Sequence, residues 1–354
     1  MCAKWVGELD VDLGEIKKGL QEHFTDGLVT IVGSGLSVAC GLPSMQELAE
    51  ELQKQIPLSK DEHIKKSWEQ IKQELFKKVV LEEALRNVAV DNPVIPLIIK
   101  ITGDFVVSRE RAVLSRVYAG EIKLPFCSVL PHLIFSSNRV YVITTNYDRL
   151  IEIAAEMCGL GIDTLFPGQY YGQYNPTLSR EALWTGRQTS KGNGIKRHFK
   201  KHVVVCKPQG SLDWFQHNGE PVRCTLPIDG DRLMITPGQS KYRMGYEKPF
   251  DSHRNEANRA IDNAARFLII GYGFNDDQLE THLKPELRKG KPCIILTKEL
   301  SSNGQNLVRE CGAIMSISST KDGKGTLIAT NNDTLEVPNK QLWDLKKFVK
   351  EVLE

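Results

Sequence analysis

The sequence predicts an α/β fold: a doubly wound, mostly parallel sheet with a helical insertion. Three observations carry that prediction. Short β-branched apolar bursts alternate with long amphipathic stretches, the first four bursts each run into a polar or glycine-rich turn, and a long helical pattern separates the first burst from the second. The bursts are residues 28–32, 140–144, 203–206, 267–270, 293–296 and 313–317. A strand covered by helices on both faces reads as a continuous apolar run, as these do.

Between the first two bursts, residues 45–56 and 61–79 place apolar side chains three and four apart, with Lys and Glu on the opposite face. This stretch is too long for a simple crossover, so residues 46–135 are read as a helical insertion. Residues 170–201, rich in Gly, Asn, Ser, Thr and basic side chains, and residues 216–250 are read as loops. Residues 339–354 are read as an amphipathic helix that docks on the core through Leu342, Leu345, Phe348, Val349 and Leu353. The organisation expected is an N-terminal helical segment over 1–24, one ligand-binding domain over 25–300, and a C-terminal strand and docking helix over 301–354.

Composition narrows the function classes. The chain has 354 residues, 41% hydrophobic and 25% charged, which excludes collagen-like and wholly disordered chains. No run approaches the roughly 18 apolar residues needed to span a bilayer. The N-terminus lacks the pattern of a secretory signal, and a cytoplasmic location is expected. Basic and acidic residues number 46 and 44, a net +2, so nothing global points to nucleic acid or membrane. The basic run at 196–202 is read as a solvated face, and direct nucleic-acid binding is not expected. His198 and His202 are spaced to share a metal if helical, but no carboxylate pattern completes a site. The eight cysteines are scattered, without a CxxC pair, and read as reduced thiols.

The chemistry lies in the four turns. Gly33-Ser34-Gly35-Leu36-Ser37 follows the first burst, and glycines there allow close backbone approach to an anion, although the spacing is not GxGxxG. Thr144-Thr145-Asn146-Tyr147-Asp148 closes the second, where a carboxamide beside a carboxylate can orient a hydroxyl or a water, or simply cap a helix. Lys207-Pro208-Gln209-Gly210-Ser211-Leu212-Asp213-Trp214 follows the third, and Pro208 with Gly210 makes a sharp turn that either presents Gln209 or enters a helix. Gly271-Tyr272-Gly273-Phe274-Asn275-Asp276-Asp277 ends the fourth, with Asp276 or Asp277 placed as a helix cap. In a doubly wound sheet such turns converge on one ligand site.

In this order, GSGLSxxxGLP, TTNYD, KPxGSLDW and GYGFND resemble the sirtuin-like NAD-binding family, over roughly residues 25–300. They are most similar to its bacterial branch of NAD-consuming anti-phage effectors. The resemblance implies a Rossmann-like fold and NAD+ as substrate. It implies that Gly33, Ser34 and Gly35 hold the diphosphate, with Ser37 and Thr145 beside them. It places Asn146 and Asp148 at the nicotinamide ribose and carboxamide, and Gly271, Tyr272 and Gly273 along the far side of the dinucleotide. By the same resemblance, Asn146 orients the attacking water, and the chain works as a homo-oligomer or with a partner such as a HerA-type ATPase, a nucleotide-sensing subunit or an Argonaute-like protein.

Two departures qualify the match. Deacylating sirtuins carry a four-cysteine zinc module, which this cysteine spacing does not form, so no zinc is expected and NAD+ hydrolysis is favoured over deacylation. The third motif of the family has His where this chain has Gln209. A carboxamide hydrogen-bonds a hydroxyl but does not take its proton at neutral pH, and losing a general base costs about 10²–10⁴ in rate. The expectations are therefore an NAD+ glycohydrolase slowed at Gln209, one that uses another base (His202 or His217), or a non-catalytic module that binds NAD+ or ADP-ribose.

Overall fold

Every apolar burst forms a strand in the computed structural model, which describes residues 13–77, 81–86, 88–89, 91–188, 195–236 and 247–354. In chain order the strands are β1 (Leu28–Val32), β2 (Arg139–Thr144), β3 (Gly161–Asp163), β4 (Tyr171–Gln173), β5 (Trp184–Gln188), β6 (Ile195–Phe199), β7 (His202–Cys206) and β8 (Gly210–His217). They continue as β9 (Glu220–Cys224), β10 (Arg232–Met234), β11 (Arg266–Ile270), β12 (Cys293–Leu296), β13 (Ile314–Ser319), β14 (Thr326–Ala329) and β15 (Thr334–Val337).

Nine strands make one sheet, in the order β15-β14-β13-β12-β11-β1-β2-β7-β3. Pairing is parallel from β3 through β13 and antiparallel at β13–β14 and β14–β15. β1 lies between β2 and β11, so the chain winds outward from it to both sides. A crevice opens at the carboxyl ends of strands at such a switch point. Alternate residues divide between the two faces: Val32, Val142, Val205 and Leu268 enter one apolar core, and Ile31, Ile143, Val204 and Ile269 the other.

The stretch between β1 and β2 is helical: Met45–Gln55, Glu62–Phe76, Leu81–Leu85, Val94–Tyr118 and Pro125–Leu133. The first of these starts on a capping box, with Ser44 Oγ accepting from Glu47 N–H and Glu47 Oε2 from Ser44 N–H. These helices close a core of their own around Leu52, Ile56, Trp68, Leu85 and Ile98. No helix of the described residues is long and apolar enough to cross a membrane.

Two expectations are corrected. Residues 170–201 contain β4, a short helix (Pro176–Glu181) and the β5–β6 ribbon, and the 216–250 stretch holds the end of β8, β9 and β10. Their polar turn residues connect short antiparallel strands, which bury one face and so lack long apolar runs. β8, β9, β4 and β10 form a separate four-stranded sheet. The KPQGSLDW turn therefore enters a strand, not a helix. His198 and His202 stand on β6 and β7 rather than on one helix face. Tyr174 packs edge-on against Phe166 at 5.6 Å, while Tyr170 and Tyr171 are exposed. The tail docks as expected through Leu342, Leu345, Phe348 and Val349, but its helix starts only at Leu345, capped by Asp344. The described cysteines are all free thiols, and Cys2 lies outside the described residues.

Candidate functional site

The turns after β1, β2, β7 and β11 meet around a cavity of about 200 Å³ at the carboxyl edge of the sheet. Of the residues singled out from sequence, Gly33, Ser34, Ser37, Thr145, Asn146, Asp148, Gln209, Tyr272 and Gly273 line it.

Gly35 and Gly271 stand behind that lining and lock two turns together. Gly33 N–H donates to Ile270 O and Gly35 N–H to Gly271 O, both at 2.9 Å. Gly271 takes a left-handed φ of 57°, and a Cβ on Gly33 would lie 2.4 Å from the Gly271 oxygen. The glycines thus serve backbone-to-backbone packing between the ends of β1 and β11. Their N–H groups are already bonded, which corrects the expectation that Gly33 and Gly35 present them to a diphosphate. Ser34, first residue of the helix Ser34–Cys40, has no intrahelical acceptor for its N–H.

A hydrogen-bonded chain runs along the second turn. Asn146 Nδ2 donates to Gly33 O at 2.9 Å and to Ser37 Oγ at 2.8 Å, and Ser37 Oγ donates to Asp148 Oδ2 at 2.7 Å. A carbonyl oxygen only accepts, so the NH₂ of Asn146 must face Gly33. Asn146 Oδ1 has no partner among the described residues and is the atom left for a ligand. Asp148 Oδ1 also accepts from Leu150 N–H at 3.1 Å, so the residue both caps the next helix and fixes Ser37. Burial pushes the Asp148 carboxyl above the usual carboxylate range, against the pull of Lys207 and of its hydrogen bonds. Lys207, itself buried, donates through Nζ to Asp148 O and to Glu152 Oε1, and so ties the second turn to the third.

The third turn is held with equal strictness. Gly210 N–H returns to Lys207 O at 3.1 Å, and Ile235 N–H donates to Gln209 O at 3.0 Å. Gly210 has φ 94°, and a Cβ there would meet Leu233 O at 2.2 Å. Lys207 N–H donates to Nδ1 of His253, a ring buried against Trp214 whose pKa is lowered to about 3, chiefly by burial. Gln209 is thereby aimed at the fourth turn, where its Nε2 donates to Asp276 Oδ2. The acceptor-only carboxylate again fixes the amide orientation, and Gln209 Oε1 is unbonded among the described residues.

Asp276 was legible only as a helix cap, and it is one. Its Oδ1 accepts from Gln278 and Leu279 N–H at 3.1 and 3.2 Å. Its second oxygen, on Gln209, needs the folded structure to be seen. The loop before it is held by Ser301 Oγ donating to Gly273 O and Asn303 Nδ2 to Phe274 O, and Phe274 sits at φ 56°. Leu48, Glu82, Thr102 and Val106 of the inserted helices close the opposite wall. Amphipathic spacing marks their faces but not the distant turns they meet. Thr102 Oγ1 is buried and unpartnered among the described residues, a cost that a polar ligand would relieve.

Neither histidine suggested as a substitute base reaches the cavity. His202 opens β7, at the amino end of the strand, with Nδ1 against Lys200 O at 2.7 Å. His217 ends β8 on an exposed turn. Among the described residues the lining has three carboxylates (Glu82, Asp148 and Asp276) and no Lys, Arg or His. The described residues contain no group of three or more His, Cys, Asp or Glu placed to hold a metal ion.

Comparison with known proteins agrees on the region of these motifs. A family model described as a SIR2-like domain matches residues 140–308, from β2 through most of the helix Ser302–Glu310. That span carries Asn146, Asp148, Gln209 and Asp276 but not the glycine turn after β1. Among solved structures, a chain from work on the structural basis for the mechanism and regulation of Sir2 enzymes is 12% identical, with a TM-score of 0.44 over 98% of each chain. Sir2Tm bound to a propionylated peptide is 13% identical, with a TM-score of 0.39 over 95% of this chain and 96% of that one. No curated protein sequence matches.

Proposed function

We propose that this protein is a sirtuin-like NAD+ hydrolase, which cleaves the bond between nicotinamide and ribose to deplete NAD+ in defence against phage. The observation that carries the reading is the pair of carboxamide oxygens, Asn146 Oδ1 and Gln209 Oε1, left without partners while their NH₂ groups are locked. Two fixed acceptors in one cavity suit hydroxyl donors, as a ribose or an attacking water provides. The acidic lining suits the other half of the problem. NAD+ carries its positive charge on the nicotinamide ring, and the charge moves onto the ribose as the bond breaks through an oxocarbenium-like state. Carboxylates favour that cation and disfavour a phosphate.

At about 200 Å³ the cavity is smaller than the roughly 300–1,000 Å³ of sites that engulf a drug-sized ligand, and it encloses the nicotinamide–ribose end of the dinucleotide. The diphosphate then lies toward Ser34, outside the acidic pocket. The defence role, a cytoplasmic location and restraint through an oligomer or partner rest on the motif resemblance. A second reading, a regulatory module that binds NAD+ or ADP-ribose without turnover, is favoured by one observation: Gln209 stands where an imidazole would take the proton.

Incubation with the fluorogenic analogue ε-NAD+ separates the two. Rising fluorescence is expected. Calorimetric binding of NAD+ with flat fluorescence would replace the hydrolase with the module, and the absence of both would remove NAD+ from the account.

A further inference from the structure

We infer that Asp276 is the proton acceptor of this site, taking in this chain the part that an imidazole at position 209 would play. The inference rests on the hydrolase reading above and adds the residue through which hydrolysis runs. Asp276 lines the cavity, and its Oδ2 is one hydrogen bond from Gln209. Its other oxygen is engaged by the N–H groups of Gln278 and Leu279, and its own N–H donates to Glu280 Oε1 at 2.9 Å. The side chain is therefore held from three directions. A carboxylate oxygen has two lone pairs, and the Gln209 N–H uses one on Oδ2. A water bound to Gln209 Oε1 stands across a single carboxamide from that oxygen.

The other carboxylates are placed differently. Asp148 has Ser37 Oγ on one oxygen and Leu150 N–H on the other, and its task is to fix Ser37 and, through it, Asn146. Glu82 comes from the inserted helix Leu81–Leu85, on the wall away from the sheet turns.

The chemistry closes without a histidine. The bond from ribose C1′ to the pyridinium nitrogen breaks, and its electron pair neutralises the ring, so nicotinamide leaves without needing an acid. The oxygen of water bonds to C1′. The proton released from that water passes to Asp276 and then to solvent, giving nicotinamide, ADP-ribose and one proton. Carboxylates serve as the water-activating base of inverting glycosidases, through a transition state of the same kind.

The test is Asp276→Asn in the full chain. Asn caps helices about as well as Asp and matches it in shape, so the fold and the contact with Gln209 are retained while the base is removed. The exposed neighbour Asp277→Asn is the control. Single-turnover cleavage of NAD+ is read together with its calorimetric Kd and the thermal midpoint. A fall of about 10²–10⁴ in rate, with Kd within about threefold and an unchanged midpoint, is the expected result. A wild type that hydrolyses NAD+ and an Asp276→Asn form that keeps pace with it would overturn Asp276 alone. A wild type without turnover would overturn this assignment together with the hydrolase reading.

Discussion

Replacing Asn146 with alanine is expected to lower NAD+ hydrolysis by about 10²–10³, the cost of losing one preorganised polar group aimed at the reacting centre. The carboxamide is 9% exposed, and its donors are committed to Gly33 O and Ser37 Oγ, so Oδ1 has a fixed direction before substrate arrives. Alanine removes that acceptor and frees Ser37 to turn. The same two hydrogen bonds help hold the turns after β1 and β2 together, so a stability loss of about 1–3 kcal/mol accompanies the change. Single-turnover rates and a denaturation curve on the same sample separate the effects. Unfolding at assay temperature, or a rate that falls only in step with the folded fraction, would make Asn146 a tie between turns and not a substrate ligand.

Gln209→His should act in the opposite direction, raising hydrolysis about ten- to hundredfold. Imidazole fits where the carboxamide lies, one ring nitrogen donating to Asp276 Oδ2 as Nε2 does now and the other facing the cavity. That is the arrangement in which a carboxylate orients a histidine base. The gain is smaller than the full general-base factor because Asp276 already takes the proton, and imidazole improves on it by matching its affinity to neutral pH. The rate should also acquire a titration between about pH 6 and 7, lost below it as the ring protonates. Measuring both forms from pH 5.5 to 8.5 reads both effects. Equal rates with no new titration would place the reacting centre away from position 209.

How much of this was legible depends on the kind of signal. The central strands were legible because residues such as Val29–Val32 and Phe267–Ile270 are buried on both faces and leave an unbroken apolar run. The short strands β4, β9 and β10 were not, because three to five residues with one face exposed resemble a loop. The turns were legible as ligand-facing, and the substitution at Gln209 could be seen at once. Partners lying far apart in the chain could not. Asn146 meets Gly33 across 113 positions and Gln209 meets Asp276 across 67, and no local pattern encodes such pairs. Asp276 shows the difficulty best: one oxygen follows the helix-cap rule, and the rule says nothing of the other. Gly35 and Gly271 show the reverse, since glycines suited to approach an anion are used here to let two backbones meet.

The most direct test of the central claim is a crystal structure of the Asp276→Asn form soaked with NAD+. The account predicts intact dinucleotide, with the nicotinamide ribose between Asn146 and Gln209, its hydroxyls within about 3.2 Å of Asn146 Oδ1 and Gln209 Oε1. The nicotinamide ring should lie among Glu82, Asp148 and the side chain at position 276, and the diphosphate outside them near Ser34. A dinucleotide bound the other way round, with phosphate or adenine in the acidic cavity, or seated elsewhere on the protein, would contradict it.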